Sequence, residues 1–137
     1  MSSTVPHSSV PRLMIADDDP IVQSLLDMSL SHEFDVVGLA ADGEQAVELA
    51  KESQPDAALV DVEMPAGGGL RAVRGIRDVA PDTAIVVLSV DESDALVREL
   101  IQAGATAYLR KGLAPRALSD ALMDSIQAHA IQRSQQL

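Results

Sequence analysis

The sequence predicts one doubly wound α/β domain built on a five-stranded parallel sheet. Two observations carry that expectation. Five short apolar runs alternate along the chain with segments whose apolar residues recur at helical spacing. The runs are nearly continuous, which implies strands buried on both faces of a sheet that helices cover on each side. Right-handed crossovers must connect such strands. A chain of 137 residues suffices for one such domain and hardly for two.

The elements follow in order. Residues 1–11 are Ser-, Thr- and Pro-rich without periodicity and read as a disordered leader. RLMIA (12–16) is the first strand. A helix over 20–33 carries Ile21, Val22, Leu25, Leu26 and Met28 at helical spacing, with Asp19 as N-cap and Pro20 at its first position. FDVVGLA (34–40) reads as the second strand and Asp42-Gly43 as a turn. The helix over 44–53 places Ala46, Val47 and Ala50 on one face. After Pro55, AALVD (57–61) is the third strand and MPAGGG (64–69) a loop. Leu70, Val73, Ile76 and Ala80 form the stripe of a helix over 70–80. AIVVLS (84–89) is the fourth strand. The helix over 91–104 carries Leu96, Val97, Leu100 and Ile101 and ends at Gly104. TAYLR (106–110) is the last strand, and a helix over 114–132 turns Leu118, Ala121, Leu122 and Ile126 inward. The domain thus spans 12–130, with 131–137 as a polar tail or the start of a linker helix.

Composition narrows the function classes. Hydrophobic residues make up 47%, but the aromatics are Phe34 and Tyr108 alone, so the core must be Leu, Val, Ile, Ala and Met. A net charge of −11 argues against nucleic-acid binding by this chain, because phosphate contacts need a cationic face. It is compatible with cation binding. Cysteine is absent, which excludes disulfides and thiolate chemistry. No apolar run approaches the roughly 18 residues of a membrane span, and the N-terminus lacks the regions of a signal peptide. The expected setting is the cytoplasm.

In an open α/β sheet, ligands bind beyond the carboxyl ends of the strands, where the strand order reverses. Asp17 and Asp18 follow the first strand, Asp61 ends the third, Ser89 ends the fourth and Lys111 follows the fifth. Four strand ends therefore deliver polar groups to one edge. Carboxylates gathered there repel one another unless a cation joins them. Few carboxylates on a rigid edge suit Mg²⁺, with waters completing an octahedron. A solvated loop would account for the Asp17–Asp19 triplet taken alone, and Asp19 fits a helix cap, where its charge complements the dipole. Lys51 and Lys111 are the only lysines against eight arginines, so a lysine at the edge points to a need for a compact ammonium. His7, His32 and His129 show no metal spacing and receive no role.

Four segments, in order and compatibly spaced, carry a resemblance. LMIADDDP has an acidic pair behind a strand, and ALVDVEMPAGGGL an Asp closing a strand, then Met-Pro and a glycine turn. IVVLS ends in a hydroxyl residue, and AYLRK sets an aromatic three residues before a lysine. From about residue 11 to residue 130 the chain resembles a response-regulator receiver domain of two-component signal transduction, with its flavodoxin-like (βα)5 fold. The resemblance implies that Asp61 is the phosphoacceptor. Asp17, Asp18, Asp61 and the backbone carbonyl of Glu63 would hold Mg²⁺. Ser89 would hydrogen-bond the phosphoryl group, Lys111 would pair with Asp61 or the phosphoryl oxygens, and Tyr108 would be the switch aromatic. The implied donor is a phosphohistidine on a histidine kinase or phosphotransfer protein, or a small acyl phosphate. The implied recipient of the signal is an output domain or protein. A phosphorylation-linked homodimer would use the fourth helix, fifth strand and fifth helix.

The chemistry is coherent in its own right. A carboxylate accepts a phosphoryl group when it is positioned in line with it and the charge is neutralised. Three positions depart from the family pattern. Gly112 stands where proline in a cis peptide is frequent, Val90 where a small residue is common, and Glu63 adds a carboxylate near the pocket. Two other readings remain. A receiver-like adaptor would bind proteins without phosphorylation, but a degenerate site would lose these residues. An aspartate-nucleophile phosphatase needs a second Asp two residues after the nucleophile, where Glu63 stands. GGGLRA follows a loop rather than a strand and no GK[ST] motif occurs, which argues against dinucleotide and P-loop sites. No output module is encoded in these residues, so a stand-alone receiver and the receiver piece of a longer protein are both expected forms.

Overall fold

A computed structural model describes residues 10–64, 68–90 and 93–135. Most of the expected leader lies outside the described residues. Five strands alternate with five helices: β1 (Arg12–Ala16), α1 (Pro20–Leu30), β2 (Asp35–Ala40), α2 (Gly43–Ser53), β3 (Ala57–Asp61), α3 (Gly68–Val79), β4 (Ala84–Ser89), α4 (Asp94–Ala103), β5 (Ala107–Arg110) and α5 (Pro115–Ser134). The strands form one parallel sheet in the order β2-β1-β3-β4-β5. The order reverses between β1 and β3, so the carboxyl ends of those two strands flank a crevice.

Strand parity divides the core between the two faces. Met14, Ala16, Ala58, Val60, Ile85 and Val87 pack with Ala46, Ala50, Ala72, Val73, Ile76 and Leu100 from α2, α3 and α4. Leu13, Ile15, Ala57, Leu59, Ala84, Val86 and Leu88 pack with Leu30, Phe34, Leu118 and Leu122 on the α1 and α5 side. Every residue of β3 and β4 is buried, as the continuous apolar runs required. The edge strands β2 and β5 are only half-buried along most of their length.

Local chemistry sets the element ends. The Asp19 carboxylate accepts from Ile21 N–H and Pro20 opens α1, as expected. Asp42 accepts from Gln45 N–H, while the Gln45 side chain accepts from Ala41 N–H, a reciprocal cap for α2. Gly104 ends α4 at φ 121, a conformation that suits glycine. Three expectations are corrected. Helix α1 stops at Leu30, three residues short of Glu33, because Phe34 N–H turns back to the Leu30 carbonyl at 2.9 Å and carries the ring into the core. The inward row of α1 is Val22, Leu26 and Leu30, whereas Ile21, Leu25 and Met28 form a second row exposed at 71%, 57% and 71%. Helix α3 begins at Gly68, within the expected loop. A side chain at Gly69 would meet the Val62 backbone at 2.5 Å, so a glycine lets the helix start hard against the end of β3. Residues 65–67 of that loop, and residues 91–92 expected in the fourth helix, lie outside the described residues.

At the amino end of the sheet, Arg77 acts as a tie. Its guanidinium donates to the carbonyls of Pro81, Thr83 and Gly104, joining α3, the turn before β4 and the turn after α4. Buried His129 of α5 completes this knot: Nε2 lies 2.9 Å from the Pro81 carbonyl, which can only accept, so that nitrogen carries the proton. Nε2 then cannot also accept from Arg77, whose Nη1 sits 3.3 Å away as a neighbouring charge. Burial first, partly offset by the hydrogen bond to the Pro81 carbonyl and by Asp82 but reinforced by the charges of Arg77 and Arg133, holds the imidazole below its ordinary range. The unfolded chain therefore binds more protons than the folded one just below about pH 6.5, and stability falls as pH falls. Urea unfolding between about pH 7.5 and about pH 5.5 should show that loss. It should be smaller in His129→Gln, whose amide can still donate to Pro81; parallel profiles for the two proteins would contradict this account.

Candidate functional site

The acidic loop after β1 is held by its own backbone. Asp17 N–H donates to the Ala40 carbonyl at 2.9 Å, continuing the β1–β2 ladder past the strand. The Asp17 side chain then turns to accept from Asp19 N–H at 2.9 Å. Gln23, one turn into α1, donates to the carbonyls of Asp17 and Ala40 at 2.7 and 2.8 Å and clamps the two strand ends together. Asp61 continues the inward row of Ala57 and Leu59 at the end of β3. Its Oδ1 accepts from Glu63 N–H at 3.0 Å.

These placements bring Asp17, Asp18 and Asp61 together, with one carboxylate oxygen of each within 4.8 Å of the others. Asp17 and Asp61 are buried at 4% and 3% exposure, and Asp18 is exposed. Burial, countered in part by the Asp19 N–H and reinforced by the charges of Asp61 and Asp18, raises the Asp17 carboxyl above its ordinary value. Oxygens at this separation, on fixed strand ends with one side open, fit a hard divalent cation that keeps several waters. The donor set has no nitrogen or sulfur, which favours Mg²⁺ over softer ions.

Lys111 is the countercharge. Its ammonium lies 2.8 Å from Asp61 Oδ1 and 3.0 Å from Glu63 Oε1. Burial works against the ammonium, but the two carboxylates outweigh it and raise the Lys111 pKa above its ordinary value. The Lys111 N–H donates to the Ser89 carbonyl at 3.1 Å, which ties the end of β5 to that of β4. Gly112 follows at φ 100, and no cis peptide bond occurs among the described residues. A cavity of about 340 Å³ opens here between α1 and α5, lined by the acidic loop, Asp61, Glu63 and Lys111 on one side and by Val22, Leu26 and Leu118 on the other.

Ser89 is fully buried and its hydroxyl donates to Glu63 Oε2 at 2.6 Å. Val90 N–H reaches Glu63 Oε1 at 3.4 Å. Burial raises the Glu63 carboxyl, but the Ser89 hydroxyl and the Lys111 ammonium more than offset it, leaving the pKa below the ordinary value. Sequence reasoning marked Glu63 for its carbonyl and as an extra charge, but missed its side chain as a partner of Ser89 and Lys111. Gln23 was missed as well, because a polar residue early in a helix gives no sign of what it reaches. Tyr108 lies on β5, half-buried against the α2, α3 and α4 side of the core.

Comparison with known proteins agrees with this geometry. Residues 13–123 match the family model of the response regulator receiver domain. The transcriptional regulatory protein YxjL of Bacillus subtilis is 37% identical over 125 residues, covering 90% of this chain and 57% of YxjL. The chain thus spans little more than half the length of that relative. The chemotaxis protein CheY of Thermotoga maritima is 34% identical over 81% of this chain and 93% of its own length. Among solved structures, a two-component response regulator of the LuxR family from Aurantimonas sp. SI85-9A1 superposes with a TM-score of 0.81 at 30% identity, covering 88% of this chain and 87% of that one. A fold with five parallel strands, an acidic edge with one lysine, and a family match over most of its length lead to one conclusion: the chain belongs to the response regulator receiver domain family of two-component signal transduction.

Proposed function

We propose that the chain works as a phosphorylation-dependent switch in which Asp61 is the phosphoacceptor. The observation that carries this reading is the Asp61–Lys111 pair at 2.8 Å, beside two further carboxylates at the carboxyl edge of the sheet. Among the described residues, both donors to Asp61 fall on Oδ1, so Oδ2 has lone pairs to offer. In the transfer, an Asp61 oxygen bonds to phosphorus as the donor's P–N bond (phosphohistidine) or P–O bond (acyl phosphate) breaks. The leaving group departs with that electron pair. Mg²⁺ held by Asp17, Asp18, Asp61 and the Glu63 carbonyl would neutralise charge on the transferring group. Lys111 holds Asp61 in place and balances its charge, and Ser89 and Lys111 hydrogen-bond the phosphoryl oxygens. Tyr108 is the aromatic that responds.

In this reading the domain spans 12–130, the chain assists its own modification without being a dedicated enzyme, and it acts in the cytoplasm. No helix among the described residues is long and apolar enough to cross a membrane. The donor is a histidine kinase or phosphotransfer protein. The naming of YxjL as a transcriptional regulatory protein supports an output domain or protein as recipient of the signal. At −11 the chain itself is not the nucleic-acid contact. A homodimer formed on phosphorylation would use α4, β5 and α5, where Ile101 and Ile131 are exposed. Residues 131–137 would be a polar tail or the start of a linker helix; α5 itself continues to Ser134.

Two measurements test the site. Incubation with acetyl phosphate and Mg²⁺ should add one base-labile phosphoryl group, read by intact mass, and Asp61→Asn should take none. Equal labelling of the variant would overturn the assignment. Mg²⁺ should raise the thermal midpoint by mass action, since it binds only where the fold gathers the carboxylates. Asp18→Asn should respond less; equal midpoints for the unaltered protein in saturating Mg²⁺ and in chelator would remove the metal site.

A further inference from the structure

We propose that the Glu63 carboxylate is an internal stand-in for the phosphoryl group, holding that group's donors in the unmodified chain and leaving them when it arrives. This rests on Asp61 as the acceptor. Three donors from two strand ends converge on this one side chain: Ser89 Oγ on Oε2 at 2.6 Å and Val90 N–H on Oε1 at 3.4 Å from the end of β4, and Lys111 Nζ on Oε1 at 3.0 Å from the residue after β5. A carboxylate and a phosphoryl group offer those donors the same thing, negatively charged acceptor oxygens. Lys111 also holds Asp61, so Glu63 is the second anion of a set that accommodates two. The chain supplies that second anion from two residues past the acceptor, in the loop that leaves β3.

The consequences are specific. Ser89 is already drawn toward the acceptor loop before any modification, so phosphorylation exchanges its partner. The incoming group must displace Glu63 as well as meet Asp61. If the donors are clear of Glu63 only one-tenth of the time, the apparent dissociation constant of a phosphoryl mimic rises about tenfold. Glu63 is therefore a specificity and threshold residue: it lowers response to weak or dilute donors and favours a donor delivered at high local concentration by a docked protein.

The test uses beryllofluoride with Mg²⁺, followed by ¹⁹F resonance, and acetyl phosphate labelling followed by intact mass. Glu63→Ala should bind beryllofluoride about tenfold more tightly and label faster at Asp61. Glu63→Gln keeps the side-chain volume without the charge and should shift in the same direction. The gain should persist at high salt, where simple repulsion of an anionic donor is screened. Unaltered or weaker binding in both variants, with the parent protein still modified at Asp61, would overturn the stand-in role and leave the acceptor standing. A gain that vanishes at high salt would reduce Glu63 to a distant charge and overturn it too. Failure of parent and variants alike to bind beryllofluoride or take label would overturn the acceptor assignment and this inference with it.

Discussion

The structure depends on one electrostatic constraint: five carboxylates, Asp17, Asp18, Asp19, Asp61 and Glu63, line the cavity at the carboxyl edge of the sheet, and one ammonium, Lys111, answers them among the side chains lining it. Removing like charges from water is costly unless each finds a partner. The fold meets that cost with backbone donors, which are fixed by the strand ends. Asp17 takes Asp19 N–H, Asp61 takes Glu63 N–H, and Glu63 takes Val90 N–H. What remains is an edge with a surplus of negative charge, which a bound cation would relieve.

The opposite edge is built the other way. There Arg77 satisfies three carbonyls with one guanidinium, and His129 adds a fourth tie to α5. A planar fork serving several acceptors is well suited to joining segments that meet at different angles. The sheet is thus pinned at its amino end and electrostatically loaded at its carboxyl end. Ser89 ends β4 and Lys111 follows β5, so both side chains of the loaded end sit directly on the strands of that half of the sheet.

Much of this was legible in the sequence because it depends on period and order. Buried β3 and β4 read as apolar runs, and Asp61, Ser89 and Lys111 fall at strand ends by counting. Position along the chain says little about where a long side chain reaches. Glu63 read as a useful carbonyl and an added carboxylate near the pocket, and only the folded chain sets that carboxylate against Ser89. His129 had no sequence partner, since Arg77 and Pro81 lie about fifty residues away. The five apolar residues of α1 fit one periodicity but form two rows, one packed and one exposed, because their arc is wider than the face the sheet covers.

The central claim is that a charge event at Asp61 is felt by the far side chain on β5. Tyr108 is the sole tyrosine and tryptophan is absent, so intrinsic emission reports on that ring alone. Two discrete arrangements biased by one local charge predict a change in Tyr108 emission and quencher access when beryllofluoride is added with Mg²⁺. Mg²⁺ alone should change it less, and Asp61→Asn should not respond to beryllofluoride. A protein saturated with the mimic whose Tyr108 emission and accessibility stay unaltered would contradict the switch and leave that ring as core packing.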